Sequence, residues 1–143
     1  MKTGHYSARR RGTVRQIYYV ARLWQLASEQ RAFDMPVVLF NLDVDVWFRR
    51  RRATVRRLLR HLRRIEAADL SYPIILSESG SVMDGYHRLA KAVFRQYSTI
   101  RVVQFQSDPP PDEIHVFGEH VPPLASFLDA PTRNALETIV PQS

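Results

Sequence analysis

The alternation of apolar and polar positions divides the chain into seven regular stretches. From Thr13 to Phe33, Val14, Ile17, Tyr18, Ala21, Leu23, Trp24 and Ala27 recur at three- and four-residue spacing, with Thr13 placed to cap. That spacing predicts an amphipathic helix. Pro36 opens an apolar run, Val37 to Phe40, that reads as a buried strand. Val55, Leu58, Leu59, Leu62 and Ile65 define a second helix behind Thr54 as cap, its apolar positions spanning an arc of about 120°. Tyr72 to Leu76 is a strand with Pro73 near its start. Val82 and Met83 continue as a short strand, Asp84-Gly85 breaks it, and Tyr86 to Arg95 returns to helical spacing with Tyr86, Leu89, Ala90 and Val93 inward. Thr99 to Phe105 is a closing strand.

The order of these elements predicts an α/β (α+β) fold: a small mixed sheet flanked by helices, with an added N-terminal helix and a C-terminal tail. Residues 1–12, with Arg9-Arg10-Arg11, read as a mobile basic arm, and 13–106 as the domain. Residues 107–143 read as a Pro109-Pro110-Pro111 linker, then a tail packing on the same domain. Within that tail, Ile114 to Val116 reads as a short strand, Gly118 to Pro123 as loop and Pro131 to Val140 as a last helix. A chain of 143 residues with 45% hydrophobic content fits one domain with a real core.

Charge alters this picture. The formal net charge is +7, which favours polyanionic partners. Much of it falls on the second helix. Arg56, Arg57, Arg60, Arg63 and Arg64 form a face opposite the apolar one, preceded by Arg49 to Arg52, with no acid until Glu66. Surface helices usually mix signs to gain pairs four residues apart. Unrelieved arginine, which grips phosphate through two N–H groups at once, points to nucleic acid; a solvated or intersubunit face is the alternative. Tyr18 and Trp24 read as core or interface aromatics, with base stacking as the alternative.

The corner from Ser77 to Ala92 carries the other candidate chemistry. A helix starting just after Gly85 has unpaired N–H groups that favour an anion. His87, Arg88 and Lys91 add donors, and His87 has an ordinary pKa near 6.5 suited to carrying protons. The competing interpretation is a strand-to-helix corner that needs glycine only for its backbone angles. Asp43 and Asp45, at the end of the Val37–Phe40 run, stand where a catalytic base belongs; a turn acid or helix cap is the alternative.

Met83-Asp84-Gly85-Tyr86-His87-Arg88-Leu89-Ala90 resembles the Asp-Gly-x-His-Arg-x-x-Ala signature of the ParB/sulfiredoxin superfamily, and the resemblance runs roughly from Met35 to Phe105. It implies a phosphate- or nucleotide-binding corner made of Asp84, Gly85, Tyr86, His87 and Arg88. It also implies a nucleoside triphosphate, CTP or ATP, with magnesium. Asp84 would cap the helix, accept a hydrogen bond from Arg88, or share the magnesium. Two departures matter. Tyr86 stands where sulfiredoxins have their cysteine, and the chain has no Cys, so sulfiredoxin chemistry is excluded. The corner also lacks the glycine-acid-arginine-arginine form of partition proteins, and too little chain follows for their long helical region, so a full partition protein is not expected.

The expected function is therefore a ParB-like nucleotide-binding domain acting on or near nucleic acid. The alternatives are a pure DNA- or RNA-binding module using the arginine helix, or a nucleotide-dependent kinase or nuclease with Asp43, Asp45 or His87 as catalyst. His115, Glu119 and His120 match no zinc spacing, so no metal site is expected. The absence of cysteine, of a signal peptide and of an apolar run near 20 residues leads to an expectation of a cytoplasmic protein with no membrane partner.

Overall fold

The structure, a computed structural model, describes residues 6–49 and 51–117. It has mixed α and β content arranged in two compact units. The Pro109-Pro110 junction falls where the chain passes from one unit to the other.

Among the described residues, the smaller unit takes 6–19 and 110–117. Strand β1 (Tyr6–Arg11) pairs antiparallel with β2 (Val14–Tyr19), and β2 pairs antiparallel with β7 (Glu113–Val116). Gly12 and Thr13 make the two-residue hairpin loop, with Gly12 at φ 59°. Positive φ in such a loop matches the twist of the flanking strands and suits glycine. Two expectations are corrected here. Residues 6–11 are a strand rather than part of a mobile arm, and Thr13 sits in a turn rather than capping a helix. Val14, Ile17, Tyr18 and Tyr19 are β-branched or aromatic, and pairing with β1 and β7 overrides their helical spacing. The Tyr19 hydroxyl donates to Glu113, and the Tyr19 N–H donates to Asp112 Oδ2 at 2.7 Å. The expected strand at 114–116 is present in β7. The loop at 118–123 and the helix at 131–140 lie outside the described residues.

The larger unit, from Val20 to Pro109, carries the candidate sites. What remains of the long N-terminal helix is α1 (Val20–Ala27), which buries Leu23 and Ala27. Strand β3 is Phe33–Pro36, and Val37–Leu39 form a single 3-10 turn rather than the expected strand. Pro36 is tolerated at the strand end, the Val37 N–H makes one further in-register bond to Ser98 O at 2.9 Å, and the chain then tightens into the turn that the Phe40 N–H closes on Val37 O at 3.2 Å. Strands β4 (Ile74–Leu76), β5 (Val82–Asp84) and β6 (Thr99–Gln104) complete a sheet in the order β3-β6-β4-β5. Only β4 and β6 run parallel; the other pairs are antiparallel, so the sheet is mixed.

All three β4 side chains are fully buried, as expected of a central strand covered on both faces. Val37, Ile74, Leu76, Leu89, Ala92, Ile100 and Val102 form the core, with Met35, Phe40, Leu70, Val82, Tyr86 and Val93 packed against it. Leu89 and Ala92 belong to α3 (Tyr86–Phe94). This helix ends with Gln96 at φ 60°, while the Tyr97 N–H reaches back to Ala92 O at 2.9 Å. That left-handed stop satisfies a carbonyl the helix leaves open. Helix α2 (Val55–Ala67) is capped by Thr54 Oγ1, which accepts the Arg57 N–H at 3.3 Å, as its sequence predicts.

Candidate functional site

The corner is built from β4, the Ser77–Ser81 turn, β5 and α3. Ser77 is completely buried, and its Oγ lies 2.9 Å from Ser79 Oγ and 2.7 Å from Ser81 Oγ. Those bonds satisfy the buried hydroxyl and set the angle at which β5 returns. Gly85 follows β5 with φ 120° and ψ 20° and supplies no side chain to cap α3. A Cβ on it would lie 2.9 Å from an Arg88 Nη2 and 3.0 Å from Ile74 Cγ1. Glycine is therefore required here by both backbone angle and crowding.

Asp84 and Arg88, expected to serve phosphate, hold each other. Arg88 Nη2 donates to Asp84 Oδ2 at 2.9 Å, and the Trp24 Nε1–H donates to the same oxygen at 3.1 Å. The guanidinium lies over the Trp24 ring, 5.0 Å from its centroid, and the Arg88 side chain is only 16% exposed. Accepting from Arg88 is one of the roles expected of Asp84. Arg88 Nε is buried with no hydrogen-bond partner.

His87 also differs from its sequence expectation. Its Nε2 lies 2.9 Å from Nδ1 of His61, so one imidazole donates and the other accepts. Trp47 covers the pair, with its ring 5.0 Å from each imidazole centroid and the planes within 14° and 15° of parallel. Burial pushes the His87 pKa down to about 4, helped by His61 and Arg64 and opposed by Asp84. Burial, then Arg64 and Arg60, also lowers His61. A group so shifted is neutral at neutral pH, which removes the charge His87 would offer phosphate and takes it out of the range of a proton carrier near pH 7. Tyr86 has its hydroxyl pKa raised by burial, partly offset by Arg49.

The loop after β3 presents Trp47. Asp45 Oδ1 accepts the Phe48 N–H at 2.9 Å, and backbone hydrogen bonds from Arg49 and Phe48 hold its pKa below the usual value. The Asp43 N–H donates to Asn41 Oδ1 at 2.9 Å. Asp45 thus shapes a turn, the alternative weighed for it from sequence. Lys91, counted from sequence among the anion donors, is taken up elsewhere. Its Nζ donates to Glu66 O at 2.8 Å and Ala68 O at 2.6 Å, tying down the C-terminal end of α2.

The arginines behave differently. Arg56, Arg60, Arg63 and Arg64 are exposed and Arg57 is half-buried. Arg51, Arg52, Thr54, Arg56, Arg57 and Arg60 line an open depression of about 650 Å³. Among the described residues none of these arginines forms an ion pair with an acid. Arg57 Nη1 donates to Arg52 O at 2.9 Å, fixing the approach to the helix. Also among the described residues, no group of three or more His, Cys, Asp or Glu is placed to hold a metal ion, and no helix is long and apolar enough to cross a membrane.

Three site residues escape sequence reasoning. The spacing of Trp24 marks a core or interface aromatic, and its ties to Asp84 and Arg88 are not visible in that spacing. His61 sits in the arginine helix, outside both the arginine and the apolar arcs. That intermediate position is its signal, since it faces α3. Trp47 is a large aromatic in a stretch with no regular period, a combination that marks a ring with a tertiary partner. No protein-family model, curated protein or solved structure matches the chain, so the ParB/sulfiredoxin resemblance rests on its signature residues and the order of elements.

Proposed function

We propose that this protein binds the phosphate backbone of nucleic acid through the arginine face of α2. The observation that carries this is the set Arg51, Arg52, Arg56, Arg57, Arg60, Arg63 and Arg64, which have no acidic partner among the described residues and partly line one depression. Helix α2 is about 20 Å long at 1.5 Å per residue, enough to follow several phosphates. Guanidinium groups neutralise phosphate without reading sequence, so binding is expected to be general and strongly dependent on salt. The test is a titration of duplex and single-stranded oligonucleotides across salt concentrations. Log affinity should fall with log salt by about 0.9 per phosphate contact on duplex DNA. Arg56→Glu with Arg60→Glu should flatten that slope. No binding at low salt, or an unchanged slope in the variant, rejects the proposal.

A second reading places a nucleoside triphosphate, CTP or ATP with magnesium, at the Gly85 corner, as the ParB-like resemblance implies. It is supported by the first turn of α3, which no side chain caps. Phosphates there would meet backbone N–H groups of Tyr86 to Arg88 rather than a charged His87, and Arg88 would have to leave Asp84 to reach them. Calorimetry with CTP, ATP, GTP and ADP, with and without magnesium, decides it. The absence of heat at millimolar concentration leaves the corner as scaffold.

A further inference from the structure

Helix α2 buries none of its residues. Val55, Leu58, Leu59 and Leu62 share one arc and are 73%, 46%, 46% and 46% exposed. The stripe turned inward is a different one: Arg57, His61, Ile65 and Ala68 are the half-buried positions, and His61 meets His87 of α3. The apolar arc therefore points away from the unit's own core. A contiguous row of aliphatic side chains left in water marks a contact surface.

The charges around this arc choose its partner. At about 100° per residue, the arginine face is centred roughly 160° away, so a partner seated on the aliphatic row need not bury arginine. Arg51 and Arg52 stand before the helix, and Glu66 and Asp69 stand at its other end, all exposed. Glu66 falls within the apolar arc, and among the described residues it forms no ion pair. One end of the stripe thus carries guanidinium groups, and the other carries carboxylates alongside the Lys91 ammonium that donates to Glu66 O and Ala68 O.

We propose that a second copy of this chain docks on this stripe, with its α2 antiparallel to the first around a two-fold axis. Leu59 of each copy then packs against Leu62 of the other. Val55 meets the end of the facing helix near Glu66. The Glu66 and Asp69 carboxylates approach Arg52, Arg51 and the N-terminal end of the facing α2, where negative charge is favourable. A parallel pairing would set Arg51 and Arg52 beside their own copies, and like charges disfavour it. The antiparallel contact is self-complementary, as a two-fold interface must be. It leaves both arginine faces outside the helix pair. An anionic lipid surface fits less well. Inserting the aliphatic row would lift the arginines off the headgroups, whereas interfacial helices set theirs against the anionic surface. One helix pair about 20 Å long buries little area, so the dimer is weak and depends on concentration.

The test is sedimentation equilibrium of the full chain without nucleic acid, from about 10 µM to about 1 mM, the range in which weak association is read. Wild type should pass from monomer to dimer. Leu59→Asp and Leu62→Asp should remain monomeric with unchanged circular dichroism, since both positions are half in water. Arg52→Glu and Glu66→Arg should each weaken the dimer, and the double variant should recover most of it. A monomer throughout, a dimer indifferent to Leu59→Asp, or no recovery in the double variant overturns the proposal. So does a chain monomeric in solution that floats with phosphatidylserine vesicles and loses this on Leu59→Asp, which would assign the stripe to lipid. These assays contain no nucleic acid, so their failure is separate from failure of the proposed phosphate binding.

Discussion

Gly85 lies against Ile74: a Cβ on Gly85 would be 3.0 Å from Ile74 Cγ1 and 3.3 Å from Ile74 Cα. Ile74 belongs to the fully buried central strand and has no room to retreat. With φ at 120°, any other residue at 85 also adopts a strained backbone. Gly85→Ala should cost about 2 kcal/mol or more. Urea unfolding measures this, and a loss below about 0.5 kcal/mol, the usual size of a surface change, would show that the corner relaxes freely.

The same corner shows how far sequence carries. A break at Gly85 and Tyr86 as the start of a helix follow from local chemistry and are present in the structure, whereas Asp84, expected to share in the break, is still paired with Ile75 as the last residue of β5. The mixed sheet and the cap at Thr54 are legible for the same reason. Residues 13–19 mislead because their period fits a helix while their pairing partners lie at 6–11 and 113–116, information no local window contains. The Arg88–Asp84 bond is legible as a pair four residues apart. That the pair sits beside Trp24 is not, because that contact spans 60 residues of chain.

Helix α3 stops on a residue in the wrong region for its type. Gln96 has φ 60°, a conformation that costs a side-chain-bearing residue about 1–2 kcal/mol and glycine almost nothing. Gln96→Gly should therefore raise stability by about 0.5–1 kcal/mol, after allowing for the greater freedom of glycine in the unfolded chain. The midpoint of thermal unfolding should move up accordingly. A downward shift would mean that the Gln96 side chain makes a compensating contact.

The His61–His87 pair makes stability depend on pH with a defined sign. The His87 pKa is about 4 in the fold, against about 6.5 in an unfolded chain. Between these values the unfolded chain binds the extra proton, so acid favours unfolding. The contribution is complete above pH 6.5 and is lost progressively as pH falls through about 4. The His61 shift has the same sign, and protonating both rings also breaks the bond between them. Denaturant midpoints should therefore fall between pH 7 and pH 4.5, and fall less in His87→Asn. Parallel curves for the two proteins would place His87 in water. Imidazole resonances followed by NMR should show the low titration directly.

Arg88 is a structural cation as the molecule stands, and this sharpens what its replacement can reveal. Its charge is largely removed from water, and the compensating groups are the Asp84 carboxylate and the Trp24 ring. Asp84→Asn should cost about 2–3 kcal/mol, below the 3–5 typical of a fully buried pair because both groups retain some exposure. Arg88→Met should cost a similar amount by leaving the Asp84 carboxylate with the Trp24 N–H but without its guanidinium. The double variant should be less unstable than the sum, with a coupling of about 1–2 kcal/mol for groups in direct contact. Nucleotide titrations on the same variants separate scaffold from site. If phosphates draw Arg88 away from Asp84, weakening that bond in Asp84→Asn frees the guanidinium, and nucleotide binds more tightly although the fold is less stable. If Arg88 only supports the corner, affinity and stability fall together or affinity does not change. Tighter binding by a less stable protein has no explanation in packing alone, so that single comparison settles whether the guanidinium serves phosphate.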